Sequence, residues 1–260
     1  MGNEPNHTEN VVVVEKLNKS FGDHRVLINM NLQVRKGETV VVLGGSGCGK
    51  TVFLRHIAGL LKPDSGNVYV FGKDINTLDD REMDELRRRV GMVFQGAALL
   101  NSLTVGQNVG LALEEAGRKS QSEIRRIVAE KLELVGMAGT ESLLPEELSG
   151  GMKKRVGVAR TLATDPELIL YDEPTTGLDP VMCDDVDALM VSMKQRLHVS
   201  SIVVTHDLIT AFRVADRIGM LHGGHLIVVG TPREILDSDN EIVHTFVSRH
   251  APLVREGRRQ

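Results

Sequence analysis

Residues 44–51 read Gly44-Gly45-Ser46-Gly47-Cys48-Gly49-Lys50-Thr51, which fits G-x-x-x-x-G-K-[ST] at every fixed position. The residue types suit a phosphate-binding loop. Glycines let the backbone bend around an anion with no Cβ in the way. Successive backbone N–H groups form a concave nest, and the helix that follows adds its positive end. Lys50 supplies a point charge for β- and γ-phosphates, and the Thr51 hydroxyl is the expected Mg²⁺ ligand.

Such a loop needs a strand before it and a helix after it. Lys36-Gly37 is a turn signal, Glu38 to Leu43 reads as the feeding strand, and Thr51 to Leu61 as the helix, stopped by Pro63 and Gly66. Val11 to Val14, Val26 to Val34, Asn67 to Phe71 and Val90 to Phe94 are further strand candidates. Leu168 to Tyr171 and Ser201 to Val204 are short apolar runs of the kind buried on both faces of a parallel sheet. Ile218 to Leu221 and Leu226 to Val229 flank His222-Gly223-Gly224-His225 and read as a hairpin. Asp80 to Arg89 is a highly charged helix, and Glu123 to Val135 places Ile124, Ile127, Val128, Leu132 and Val135 on one helical face. Residues 1–10 are expected to be a disordered lead-in, and the tail from Arg249 is basic.

The bulk numbers restrict function. With 260 residues the chain has room for a sizeable core, and 41% hydrophobic and 25% charged residues are ordinary for a globular protein. A net charge of −4 and 3% aromatics argue against nucleic acid as a partner. Two separated cysteines, Cys48 and Cys183, suit a reducing compartment. No apolar run reaches the ~18 residues of a membrane span. Residues 1–10 show no signal peptide, and Asn6 stands where a myristoylation signal has Ser or Thr. These features predict a cytoplasmic protein that reaches a membrane only through a partner.

Other segments complete a pattern. Leu148-Ser149-Gly150-Gly151-Met152 follows the loop at a distance, then an apolar run ending in Asp172-Glu173, then Pro174-Thr175-Thr176-Gly177-Leu178-Asp179, with His206 in V-V-T-H-D. Gln95 ends an earlier strand candidate and Phe21 precedes the second one. This set, in this order, resembles the nucleotide-binding subunits of ABC transporters across about residues 11–235. The resemblance implies an α/β fold: a P-loop NTPase ABC cassette with a RecA-like core, an antiparallel β subdomain and a helical signature subdomain at about 96–160. A C-terminal helix and basic tail would then fill 236–260.

It also implies an ATPase that uses ATP and Mg²⁺. Phe21 would lie under the adenine, and Gly44, Gly45, Ser46, Gly47, Cys48, Gly49, Lys50 and Thr51 would hold the phosphates. Asp172, with Thr51 and Gln95, would hold Mg²⁺. Glu173 would be the catalytic base, His206 the switch histidine on the γ-phosphate, and Gln95 the link to a membrane permease. Ser149, Gly150 and Gly151 would complete the site of a second copy in an ATP-sandwich dimer, with Asp179 at the seam.

Two departures narrow the family. Met152 replaces the usual glutamine of the signature, and Asn101-Ser102 stands where many importers have Pro-His. G-A-x-L-x-x-S-L-T-V over 96–105 and L-S-G-G-M resemble the ATPases of Mla/MCE phospholipid transporters of Gram-negative envelopes. That predicts lipid transport, with an MCE-type lipid-binding protein among the partners and a place on the inner membrane. An amino-acid or metal-chelate importer and a soluble assembly-factor ATPase are the alternatives. The 149 − 50 = 99 positions between Lys50 and Ser149 leave no room for the coiled-coil insertion of a DNA-repair ATPase. Leu99, Leu100, Leu103 and Val105 are expected to form an apolar groove for the permease, or else to cap the core of the helical segment.

Overall fold

The computed structural model describes residues 9–248. Its first half runs β1 (Asn10–Phe21), β2 (His24–Arg35), β3 (Thr39–Leu43), α1 (Lys50–Ile57), β4 (Ser65–Val70), β5 (Lys73–Asp74), α2 (Asp80–Arg89) and β6 (Val90–Val93). Then come α3 (Val105–Ala116), α4 (Gln121–Leu134), a 3₁₀ turn at Pro145–Glu147 and α5 (Gly150–Leu162). The last part holds β7 (Leu168–Asp172), α6 (Pro180–Leu197), β8 (Ser200–Thr205), α7 (Leu208–Val214), β9 (Arg217–His222), β10 (His225–Gly230), α8 (Pro232–Leu236) and α9 (Glu241–Ser248).

Two sheets result. One is antiparallel in the order β2-β1-β4-β5. The other has the order β10-β9-β3-β8-β7-β6, parallel throughout except for β10 at its edge. β3, β7 and β8 are buried at every residue, as their continuous apolar runs predict. Their side chains divide by strand alternation. Val40, Val42, Leu168, Leu170, Ile202 and Val204 face a core shared with α1 and the antiparallel sheet. Val41, Leu43, Ile169, Tyr171 and Val203 face the other core, built with α3 to α7.

Boundaries differ from the sequence reading at several points. β1 begins at Asn10, inside the expected lead-in, because Asn10 pairs with Arg35 of β2. It also runs past Val14 to Phe21. Lys16 and Asn29 adopt positive φ there, and the Asn31 and Asn18 side chains accept their backbone N–H groups. These bulges break the alternation by which a strand is read. α1 stops at Ile57, four residues before Leu61, because Gly59 turns left-handed (φ +65°) ahead of Pro63. The 18-residue α6 was not anticipated, although Asp179 caps it and Pro180 opens it. Residues 1–8 and the basic tail from Arg249 lie outside the described residues.

His56 on α1 is fully buried (0% exposed). Its Nδ1 donates to the Val52 carbonyl at 2.7 Å, and Nε2 has no hydrogen-bond partner among the described residues. Burial holds the imidazole below its ordinary value, against the bond to Val52. The unfolded chain therefore binds more protons below pH ~6.5 than the folded one. Stability is complete above that value and falls as the pH drops toward the folded value, by at most ~1.4 kcal/mol per pH unit from this group. His56→Leu is expected to flatten the stability change between pH ~7.5 and ~5.5 in urea unfolding. An undiminished slope would remove His56 from this role.

Candidate active site

Parallel strands end at the same edge of a sheet, and this edge collects the expected site. β3 leads into Gly44–Thr51, β8 into His206, β7 ends at Asp172 with Glu173 next, and β6 leads to Gln95. Leu43 is in register with Thr205 and Asp172 with Val204, so Thr51 and Asp172, 121 positions apart in sequence, arrive side by side.

At the centre is a chain of charge. Lys50, 5% exposed, has its Nζ 3.1 Å from Glu173 Oε1 and donates to the Gly44 and Gly45 carbonyls, each at 2.9 Å. Glu173 Oε2 lies 2.8 Å from His206 Nδ1 and accepts from the Thr176 hydroxyl at 3.2 Å. Burial raises the Glu173 carboxyl, but Lys50 and His206 outweigh it and hold the group below its usual value. Glu173 is also left-handed (φ +48°), with its N–H bonded to the Val204 carbonyl at 2.9 Å. A non-glycine residue there costs on the order of 1–3 kcal/mol. The bend takes the carboxylate out of the strand line and toward Lys50 and His206.

Asp172 behaves differently. The Thr51 hydroxyl donates to its Oδ1 at 2.9 Å. Burial raises its carboxyl, and neighbouring Glu173 adds to the rise. A half-buried hydroxyl beside a buried carboxylate is an oxygen-donor set of the kind a hard divalent cation takes, so the residues fit Mg²⁺.

The loop also fits phosphate. α2 to α8 each carry a side-chain N-cap: Asp79, Thr104, Ser120, Ser149, Asp179, Asp207 and Thr231. α1 begins at Gly49, which has no side chain to cap with, so its first-turn N–H groups face the loop. Gly45 and Gly47 have open space where a Cβ would stand, whereas a Cβ on Gly44 would meet the Leu221 carbonyl oxygen at 2.5 Å. Ser46 is exposed and Cys48 half-buried in the same loop.

The remaining expected residues lie away from this centre. Phe21 closes β1 at a hairpin tip, 51% exposed, with Lys19 Nζ 5.6 Å from its ring centroid. Ser149 and Gly150 are exposed at the start of α5, and the Ser149 hydroxyl accepts from the Met152 N–H at 3.3 Å. Gly150 and Gly151 pack toward Leu178 and Met182, and Asp179 is exposed. The Gln95 side chain is exposed and is not drawn into the Lys50–Glu173–His206 cluster. The apolar stretch divides: Val105 is fully buried, Leu99 packs against the core, and Leu100 stands 47% exposed.

Sequence reasoning missed the residues on α5 that hold the segment after β6. Lys154 donates to the Gln95 carbonyl, Thr161 to the Met92 carbonyl at 3.1 Å, and Arg160 to the Ala97 and Ala98 carbonyls at 3.0 and 2.6 Å. Burial lowers Lys154, against the pull of Cys183, Asp172 and Glu173. Ala97 and Ala98 are both left-handed (φ +58° and +49°), a pairing that no motif announces. Hydrogen bonds from a charged donor are worth about 1.5–3 kcal/mol each, so Arg160→Met should raise amide exchange across 95–100 by ~10-fold or more. β7 should exchange as before. Unchanged exchange at 95–100 would mean that Arg160 does not hold this segment.

Comparisons with known proteins give the family. Residues 27–176 match the family described as ABC transporter. The chain is 41% identical over 237 residues to the probable ribonucleotide transport ATP-binding protein mkl of Mycobacterium leprae, covering 91% of this chain and 68% of that protein. It is 38% identical over 239 residues to the intermembrane phospholipid transport system ATP-binding protein MlaF of Haemophilus influenzae, covering 92% and 90%. It is also 38% identical over 249 residues to the methionine import ATP-binding protein MetN of Mesorhizobium japonicum, covering 95% and 68%. In structure it resembles the ATP-binding cassette MJ0796, a dimer in a post-hydrolysis state bound to ADP and Pi, with a TM-score of 0.77 and 34% identity over 85% of this chain and 99% of that one. With these matches and the charged cluster at the sheet edge, the chain belongs to the ABC transporter family, as an ATP-hydrolysing cassette.

Proposed function

We propose that this cassette powers phospholipid transport across a bacterial envelope, with one ATP held between two copies at each of two sites. The observation that carries the catalytic part is the meeting of Lys50, Glu173 and His206 beside the Thr51–Asp172 pair. Lys50 neutralises charge on the β- and γ-phosphates while Gly44–Thr51 hold them through backbone N–H groups. Thr51, Asp172 and Gln95 would hold Mg²⁺, which when bound would neutralise phosphate charge. Glu173, ionised at neutral pH, orients the attacking water and takes its proton. His206 holds the γ-phosphate and steadies Glu173. Phe21 supports the adenine by stacking on its exposed ring.

Ser149, Gly150 and Gly151 contribute to the partner copy's site. The exposure of Ser149 and Gly150 at a helix start, with Gly151 buried just behind them, supports this sharing. Asp179 then lies at the seam.

A membrane permease is proposed as the partner that seats beside Gln95 and Leu100. Among the described residues no helix is long and apolar enough to cross a membrane. We place the chain on the cytoplasmic side of an inner membrane through that permease, with an MCE-type lipid-binding protein in the same assembly. The functional unit spans about 11–235, with a helical part near 96–160. The phospholipid cargo is supported by the 96–105 and L-S-G-G-M segments and by the likeness to MlaF. The likeness to MetN favours a second reading, an importer of an amino acid.

The chemical step is tested by Glu173→Gln. It should bind ATP, accumulate as an ATP-bound dimer, and lose at least ~10²-fold in turnover. Near-normal phosphate release by this variant would end the assignment of Glu173. Ser149→Arg should abolish turnover while each chain still binds ATP, and normal hydrolysis by it would remove the shared site.

For the partner, Leu100→Glu should abolish copurification with the permease. Its melting temperature should change little, since an exposed position bears a charge without the several kcal/mol cost of burial. The copurified complex also decides the cargo. Bound phospholipid supports the first reading; a complex that carries an amino acid and no phospholipid leaves the ATPase assignment standing and replaces the lipid one.

A further inference from the structure

α6 carries an ionisable group that the catalytic reading does not use. Asp187 is 0% exposed. Its Oδ2 accepts from the Thr210 hydroxyl and from Arg213 Nη1, each at 3.3 Å, and both donors are on α7. Its Oδ1 has no hydrogen-bond partner among the described residues. Thr210 is a junction as well as a donor. Its Oγ1 lies 3.2 Å from Asp207 Oδ2 and 3.3 Å from the Thr175 hydroxyl. Asp207 follows His206 and caps α7 through the Ile209 N–H at 2.8 Å, and Thr175 lies two residues beyond Glu173. One buried hydroxyl thus ties together α6, the segment after Glu173 and the turn that carries His206.

Counting protons shows what the node lacks. Thr210 has one hydroxyl proton and two carboxylate oxygens in reach, Asp187 Oδ2 and Asp207 Oδ2. It serves one of them at a time, and the Thr175 hydroxyl, 3.3 Å from the Thr210 oxygen, reaches neither carboxylate. With both carboxylates ionised, one of them goes without this donor. A proton on Asp187 Oδ2 resolves the shortage: Asp187 donates to Thr210, and Thr210 donates to Asp207. Arg213 still has Asp184, and it still has a lone pair on Oδ2.

The surrounding charges agree with this. From α7 and its cap Asp187 faces Arg213 and Asp207; from its own helix it faces Asp184 and, one turn earlier, Cys183. Lys154 on α5 donates to the Gln95 carbonyl, and Cys183, Asp172 and Glu173 are the charges that act on it. Burial, with Asp207 and Asp184 adding to it, outweighs Thr210 and Arg213 and pushes the carboxyl up to about 7.

We propose that Asp187 is a positioning residue for ATP hydrolysis: a proton on its carboxyl closes a hydrogen-bond chain through Thr210 to Asp207 and fixes His206 against Glu173. This rests on the proposed roles of His206 and Glu173. Asp179 caps α6, so the same chain ties the proposed dimer seam to the switch histidine.

The test is steady-state phosphate release from Mg·ATP by the full chain across pH ~6–8.5, with kcat and KM resolved at each pH. Wild type should show a limb of kcat that falls as the pH rises through about 7. Asp187→Asn carries a fixed donor at this place and should flatten that limb. Asp187→Leu removes the chain without leaving a buried charge, so it should fold; kcat should fall about 10-fold or more, with KM for ATP little changed. An Asp187→Leu chain with the wild-type kcat and pH profile overturns the proposal, as does an Asp187→Asn chain that keeps the limb. Glu173→Gln and His206→Ala are measured alongside. If they turn over normally, the site reading falls and the positioning role with it. If they are dead while Asp187→Leu behaves as wild type, the positioning role alone falls.

Discussion

The site depends on the parallel register of β3, β8 and β7. A parallel sheet cannot be closed by tight turns, so each strand is followed by a crossover and all its strands end at one edge. Leu43 beside Thr205 and Val204 beside Asp172 set the separation of the three segments that carry Lys50, His206 and Glu173. Slipping one strand by a residue would reverse its side chains and exchange Val40 and Val42 with Val41 and Leu43 between two different cores. The apolar faces therefore hold the charged groups in place: the cost of slippage is paid across two cores, far from the site itself.

At that edge two adjacent carboxyl groups acquire opposite characters. Asp172 is the last residue of β7, still in strand geometry, bonded to a hydroxyl and in no ion pair among the described residues, and burial lifts it. Glu173 is one residue further on, turned left-handed, and its ion pair with Lys50 overcomes the same burial. Neighbours in sequence are thus suited to different work, because one backbone angle sends them to different partners. The strain at Glu173 is maintained by bonds on both sides, from its N–H to Val204 and from its carboxylate to Lys50, Thr176 and His206.

Much of this was legible in the sequence wherever local chemistry decides. Val40 to Leu43 and the following glycines named their strand and loop, and the continuous apolar runs of β7 and β8 declared burial on two faces. Long-range pairing was less legible. Nothing in Lys16 or Asn29 signals a bulge, because the stabilising partners are the side chains of Asn31 and Asn18, 15 and 11 residues away. The left-handed Ala97 and Ala98 are held by Arg160, 63 and 62 residues on. Gly157 allows this: an added Cβ would stand 3.3 Å from the Ala97 Cβ. Among Leu99, Leu100 and Val105, composition is alike and burial is not, since only the start of α3 at Val105 decides which one turns inward.

α5 gives the cassette its mechanical link. Its first turn presents Ser149 and Gly150 outward, and its later turns carry Lys154, Arg160 and Thr161, whose donors end on carbonyls at 92–98. A helix transmits displacement along its axis because its own hydrogen bonds resist compression. Beyond the end of β6, the 94–98 segment is neither helix nor strand; it contains two left-handed alanines and leads to Leu100 at the surface. It must therefore follow the helix that holds its carbonyls. Exposed Ser149 and exposed Leu100 thus lie on one helix and on the loop whose carbonyls that helix holds.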